Sequence, residues 1–278
     1  MRTIYVDKII PKMLLVKGLR SAWPGVVWSP LSPAKVADLE DTALPGDRWL
    51  RVQNRVCGIC ATDLSLLNVA VDPSVVPAAL PGNNRFYLGH EVISDVVEVG
   101  PGVSQFSVGD RVIMDTRFAG PNCRSQEIDP VCDACARGDF SLCVHMSAGR
   151  GLRGAGGGWG DGYTAHESEV YPCPDDISDD QAALVEPMAV ALHAVLRRPP
   201  GMYDRVLVIG AGIIGLLTVQ AVRAVSPDSK ITVMAKYPHQ VDMARQCGAD
   251  DILDPSAGYA EVARRFEIEH FTSPLNKG

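Results

Sequence analysis

The chain has 278 residues, 46% of them hydrophobic and 21% charged, with a formal net charge of −7. This predicts a folded globular protein of one large or two ordinary domains, and the acidic balance leaves no electrostatic footprint for nucleic acid or anionic membrane. Residues 1–17 carry Arg2, Asp7, Lys8, Lys12 and Lys17 without a long apolar core, so they do not read as a signal peptide. Eight cysteines without such a leader argue against a disulfide scaffold and for a reducing, cytoplasmic setting.

Up to about Val170, short apolar runs alternate with Pro, Gly and Asp, the texture of an irregular β-barrel. Val92-Ile93 with Val96-Val97, and residues 111–114 after the turn-like Val108-Gly109-Asp110, read as strands. Residues 68–85 hold three prolines and read as a loop, as do residues 149–162 with eight glycines around Trp159. Ser178-x-x-Gln181 predicts a capping box, opening a helix over 181–198 that Pro187 should kink and Pro199-Pro200 should stop. Strands are expected at 206–209, 231–234 and 251–253, with helices over 213–225 and 240–247. That alternation predicts a parallel sheet. The apolar stretch 206–225 is broken by Thr218, Gln220, Arg223 and three glycines, which suits a buried strand–turn–helix rather than a membrane span.

Three constellations carry chemistry. Cys123, Cys132, Cys135 and Cys143 offer four thiolates, a closed tetrahedral zinc set of the structural kind; four unrelated core cysteines are the competing reading. Gly58-Ile-Cys60-Ala-Thr62-Asp63 and Gly89-His90-Glu91 together supply thiolate, imidazole and carboxylate, a mixed and open set suited to catalysis. Alone, either is a weak signal, since a His beside a Glu is usually a hydrogen-bonded pair. Asp63 is placed to orient a ligand. Gly210-Ala-Gly212-Ile213-Ile214-Gly215 follows a strand and opens a helix, the context that turns a glycine pattern into a pyrophosphate site. The acidic residue usual at the end of the second strand is missing; Ala235-Lys236-Tyr237 stands there, which predicts NADP over NAD.

In order, G-I-C-A-T-D, G-H-E, V-G-D-R-V, C-x-x-C-x-x-G-x-x-x-x-C, V-E-P-M-A-V-A-L-H-A and G-A-G-I-I-G resemble the zinc-dependent medium-chain dehydrogenases, nearest the sorbitol, threonine and glucose dehydrogenase branches. The resemblance covers about residues 51–253. It implies a GroES-like β-barrel catalytic domain over 1–187 and a partial Rossmann domain over 188–278. It also implies zinc in catalytic and structural sites, and hydride transfer between a secondary alcohol and a nicotinamide cofactor. Cys60, His90, Glu91 and Glu186 match acidic, thiolate and imidazole groups at the catalytic zinc, and Thr62 the hydroxyl that takes the substrate proton. Gly210, Gly212, Ile213, Ile214 and Gly215 match the cofactor site, and Lys236 is placed to attract a 2′-phosphate. The partner expected is a small-molecule alcohol, with homo-oligomerisation open and neither nucleic acid nor membrane.

Three departures stand out. Eight residues separate Cys123 from Cys132 where relatives have two, and Ser65 replaces a frequent relay histidine. Cys57, Cys173 and Cys247 match no ligand and read as packing residues, while His145, His166, His193, His239 and His270 read as structural or exposed. Relatives continue past the third nucleotide-domain strand, so the resemblance implies a shortened chain and, as the alternative function, a member that binds zinc and nucleotide without turnover.

Overall fold

The computed structural model describes residues 1–40, 43–70, 84–115, 121–145 and 152–269. The chain divides into two compact units, Met1–Glu186 and Pro187–Gly278. The first is built on antiparallel sheets. The larger, ordered β7-β3-β5-β6-β8, comprises β3 (Trp49–Cys57), β5 (Val92–Val99), β6 (Arg111–Met114), β7 (Gly162–His166) and β8 (Val170–Pro172). Against β5, β3 shifts register at Arg51/Val52 and at Asn54/Val56. Such irregularities add twist and bend a strand, and the sheet curls around Leu50, Val52, Val96, Val112, Tyr163 and Ala165. Its other face is covered too, Ile93, Ile113 and Cys173 packing with Ala182. Each aliphatic side chain so buried contributes roughly 1.5–3 kcal/mol. Burial on both faces is why β5 begins Val-Ile instead of alternating apolar with polar.

The smaller sheet, β2-β1-β4, pairs β1 (Arg2–Asp7) with β2 (Ala34–Asp38) and β4 (Arg85–Tyr87). Helix α1 (Ile10–Leu19) and a 3-10 turn, Pro24–Trp28, lie between β1 and β2. Arg85, expected in a loop, is thus the first residue of a strand, because β1 offers it a partner: Asp7 lies opposite and its carboxylate accepts from Arg85 Nε at 2.9 Å. The rest of that expected loop, 71–83, lies outside the described residues, as do Gly149, Gly151 and His270.

A polar corner joins β7 to β8. His166 caps a 3-10 turn, Glu167–Glu169, its Nδ1 accepting from Ser168 N–H at 3.1 Å while Glu169 accepts from the His166 N–H at 3.1 Å. Glu167 is fully buried, paired to Arg48 and accepting from Ser104 N–H at 3.0 Å. Burial, with the charge of Arg48 beside it, holds the His166 imidazole down at about 4, and burial raises Glu169 to about 7. These shifts have opposite consequences. A depressed histidine gives stability that is lost as pH falls below about 6.5, and a raised carboxyl gives stability that is lost as pH rises from about 4.5 towards 7. Between those limits the two slopes offset each other. Glu169→Gln keeps the cap and removes one slope, so the variant should gain on the wild type by up to about 1.4 kcal/mol per pH unit between about pH 5 and 6.5. Urea unfolding across that range measures it; a variant that gains nothing would mean that Glu169 is already ionised at pH 5.

The second unit has a parallel sheet ordered β11-β10-β9, from β9 (Arg205–Ile209), β10 (Lys230–Met234) and β11 (Asp251–Leu253). Helices α6 (Ile213–Val225) and α7 (Pro238–Gln246) connect them, and α8 (Gly258–Phe266) follows. Val208, Val219, Val222, Ile231, Val233 and Ala244 form the core. One expected helix is corrected. Residues 181–198 are not a single kinked helix: α4 (Asp179–Ala183) ends, Leu184 intervenes, and α5 (Val185–Arg197) begins. A proline ring clashes with the carbonyl four residues earlier and has no N–H to give it. For Pro187 that residue is Ala183, where α4 stops. The capping box forms as expected, Ser178 Oγ accepting from Gln181 N–H at 3.2 Å.

Candidate functional site

The antiparallel register places Cys57 opposite Val92, so the residues leaving β3 meet those entering β5. Cys60 leaves β3 and caps α2 (Ala61–Leu67), its sulfur accepting from Thr62 N–H at 3.4 Å. His90 and Glu91 enter β5. One ligand atom from each of Cys60, His90 and Glu91 lies within 4.8 Å of the others. Asp63, 2% exposed, stands behind them: its Oδ1 accepts from Gly89 N–H at 2.9 Å and its Oδ2 lies 3.2 Å from His90 Nδ1. Engaging Nδ1 leaves Nε2 to face a ligand. The Asp63 carboxylate raises the His90 pKa to about 9, with Cys60 and Glu186 adding to it. Burial lifts Glu91, and Glu186 adds to that shift. The site therefore has a field that favours a cation.

Glu186 lies in the first turn of α5, half-buried. It acts electrostatically on His90 and Glu91 but is outside the trio of mutually close donors. Thr62 is exposed on α2 and Ser65 is half-buried one turn on. Two supports were not anticipated from the sequence. Asn54 Nδ2 donates to the carbonyls of Gly157 and Gly160 at 2.9 and 2.8 Å, with Ser94 Oγ donating to its Oδ1 at 2.9 Å. Trp159 Nε1 donates to Gly58 O at 3.1 Å. These bonds pin the glycine-rich segment against the site. The only hint was an asparagine inside a strand, a residue that pleated surfaces disfavour. Gly89, with φ +84, is required there, since a Cβ would sit 2.4 Å from Trp159 N.

The second cluster gathers Cys123, Cys132, Cys135 and Cys143, their sulfurs within 4.8 Å of one another. Cys132 precedes α3 (Asp133–Ala136) and Cys143 follows a 3-10 turn, Phe140–Leu142. Cys123 arrives despite its long spacing because the intervening residues fold back, Ile128 N–H donating to Cys123 O at 2.8 Å. Cys123 and Cys143 sulfurs are 3.7 Å apart, and the N–H groups of Cys132 and His145 donate to them at 3.4 Å each. Backbone donors from Cys135 and Val144 bring the Cys132 thiol down to about 6, whereas burial raises Cys135 and Cys123. Four converged sulfurs served by backbone donors fit a tetrahedral thiolate-bound metal. Cys173 is buried in a separate core, and Cys247 packs against α6 residues. Cys57, partly buried, is pushed up to about 12 by burial.

In the second unit β9 runs into Gly210 (φ +97), Gly212 precedes α6, and a Cβ on Gly215 would lie 1.9 Å from Gly210 O. Gly215 lets helix and loop touch; the space beside Gly210 and Gly212 is open at a helix N-terminus, which suits a pyrophosphate. Ala235 is buried after β10, with Lys236 and Tyr237 exposed beyond it and the Lys236 ammonium 5.2 Å from the Tyr237 ring centroid.

Residues 46–175 match the alcohol dehydrogenase GroES-like domain. The chain is 33% identical over 218 residues to (R,R)-butanediol dehydrogenase of Saccharomyces cerevisiae, covering 72% of this chain and 54% of that one. It is 28% identical over 235 residues to sorbitol dehydrogenase of Halalkalibacterium halodurans, covering 84% of this chain and 60% of that one. Among solved structures, 2R,3R-butanediol dehydrogenase of Bacillus subtilis superposes with a TM-score of 0.63 at 30% identity, covering 84% of this chain and 64% of that one. The chain thus spans a little over half the length of these curated relatives. The domain match, the identity to these dehydrogenases and the structural likeness place the chain in the zinc-type medium-chain alcohol dehydrogenase family.

Proposed function

We propose that this chain carries the metal-binding and pyrophosphate-binding parts of an oxidoreductase acting on secondary alcohols of the polyol, sugar or hydroxy-amino acid class. The convergence of Cys60, His90 and Glu91 in front of Asp63 carries the reading. The two compact units are taken as a GroES-like catalytic domain over 1–187 and a dinucleotide-binding domain from 188. Cys60, His90 and Glu91 would hold zinc, with Glu186 as a second carboxylate at its edge. Cys123, Cys132, Cys135 and Cys143 would hold a second ion. Zinc held there would supply Lewis acidity towards an alcohol oxygen, and a bound nicotinamide would supply the hydride acceptor. The chain's own residues do the rest. Asp63 orients the His90 ring, and Thr62, exposed on α2, would take the alcohol proton while giving its own hydroxyl proton to water. Metal analysis with a panel of vicinal diols and polyols, offered with either cofactor, tests this. Two zincs without turnover would favour the non-catalytic reading instead.

Cofactor choice belongs to the same proposal. Gly210, Gly212, Ile213, Ile214 and Gly215 would receive the pyrophosphate, and Lys236, with no carboxylate at Ala235 to oppose it, a 2′-phosphate. A hydrogen bond to a charged phosphate contributes about 1.5–3 kcal/mol. Because Lys236 is exposed, the lower end applies. Lys236→Ala should weaken NADP about tenfold and leave NAD unchanged in a direct binding titration. Equal losses for both would remove Lys236 from the assignment.

A further inference from the structure

The overall charge of −7 conceals a local inversion. Residues 8–37 hold Lys8, Lys12, Lys17, Arg20 and Lys35 and no acidic residue, though Lys35 is paired with Asp7 at 3.2 Å. The same stretch carries Ile10, Leu14 and Leu15 on α1, at 51, 64 and 44% exposure, and Trp23 and Trp28 after it, at 49 and 72%. Two of the chain's four tryptophans are here. Helix α1 turns Val16 and Met13 inward onto Val26, Val27 and Val69. At 3.6 residues per turn, Leu14, Leu15 and Gly18 fall opposite that contact and Ile10 to one side, with Lys17 and Lys12 on the two flanks of the inward contact. A helix apolar on both faces is ordinarily covered on both. Among the described residues nothing covers this one's outer face.

The charges discriminate between covers. A second copy meeting the same patch across a two-fold axis would set Lys12, Lys17 and Arg20 against their own copies, and like charges in apposition cost several kcal/mol. An anionic bilayer suits every feature. Leucine and isoleucine enter the acyl boundary, tryptophan rings rest at headgroup level, and flanking lysines reach lipid phosphates. No described helix is long and apolar enough to cross a membrane, so the contact is peripheral. We propose that α1 with the segment carrying Trp23 and Trp28 seats this protein on an anionic lipid surface.

The test uses the full chain and two vesicle preparations, equal parts phosphatidylglycerol and phosphatidylcholine, and phosphatidylcholine alone. Cosedimentation with the anionic vesicles only, reversed by high salt, is expected. Each basic residue near such a surface is worth about 1 kcal/mol, or about fivefold in affinity. Lys12→Glu with Lys17→Glu should therefore weaken binding by at least about tenfold. Leu14→Asp, on an exposed side chain, should weaken it comparably with an unchanged melting temperature. Equal binding to both vesicle types, or full binding by both variants, would overturn the proposal. So would a concentration-dependent dimer that Leu14→Asp dissolves, which would assign the face to a second copy.

Discussion

Cys135→Ser is expected to lower bound zinc by one ion per chain and to destabilise the first unit by on the order of 4–5 kcal/mol, the large end of single-substitution effects, among whose causes is loss of a metal. Cys135 is fully buried, and its sulfur lies within 4.8 Å of three others. A serine hydroxyl is a poor ligand there and leaves three thiols converged around a weakened ion. Little other apolar packing orders this segment. Its own apolar cluster beyond the cysteines consists of Phe140, Ile128 and Val131. Zinc binding at such sites is folding free energy, because no preformed site exists in the unfolded chain. At roughly 2–4 °C per kcal/mol for a unit of this size, the midpoint should fall by about 10 °C or more. A strong chelator should bring the wild type down to a similar midpoint. An unchanged midpoint and zinc content would show that the four sulfurs hold no metal.

Cys60→Ser should do the reverse, removing the other zinc and turnover while sparing the fold. Cys60 is only partly buried, and its structural duty is to accept from Thr62 N–H as the cap of α2. Serine performs that duty well. What it does not supply is a thiolate. Loss of the zinc should lower kcat/KM by at least about a thousandfold, equivalent to about 4 kcal/mol of barrier. Bound metal should fall from two to one per chain with the melting temperature within a few degrees of wild type. If zinc and fold were both lost, Cys60 would belong to the scaffold. If zinc and turnover both survived, the proposed site would be wrong.

What the sequence determined by itself is contiguous. β9, its glycine turn and α6 follow one another within residues 205–225, and the Ser178–Gln181 box joins neighbours one turn apart. Their signals depend on separations of a few residues, which local backbone geometry sets. The helix break at Leu184 was half visible: Pro187 foretells a disruption, but the pattern suggests a kink where the chain makes two helices.

The tertiary structure decided what lies together across long separations. Cys60 and His90 are 30 residues apart in sequence, and only the Cys57↔Val92 register, with bulges upstream, brings them face to face. A one-residue slip would turn the slipped strand's side chains to the opposite face and shift the residues that leave it by one position. Cys123 reaches its partners only because the chain between them folds back. Asn54 holds the glycine segment through backbone carbonyls more than 100 residues away, contacts that leave no periodicity to read. The outward apolar face of α1 was also hidden, since apolar residues on both faces of a helix give no preferred side. Sequence pattern reports which side chains want cover; only the packed chain shows which of them found it.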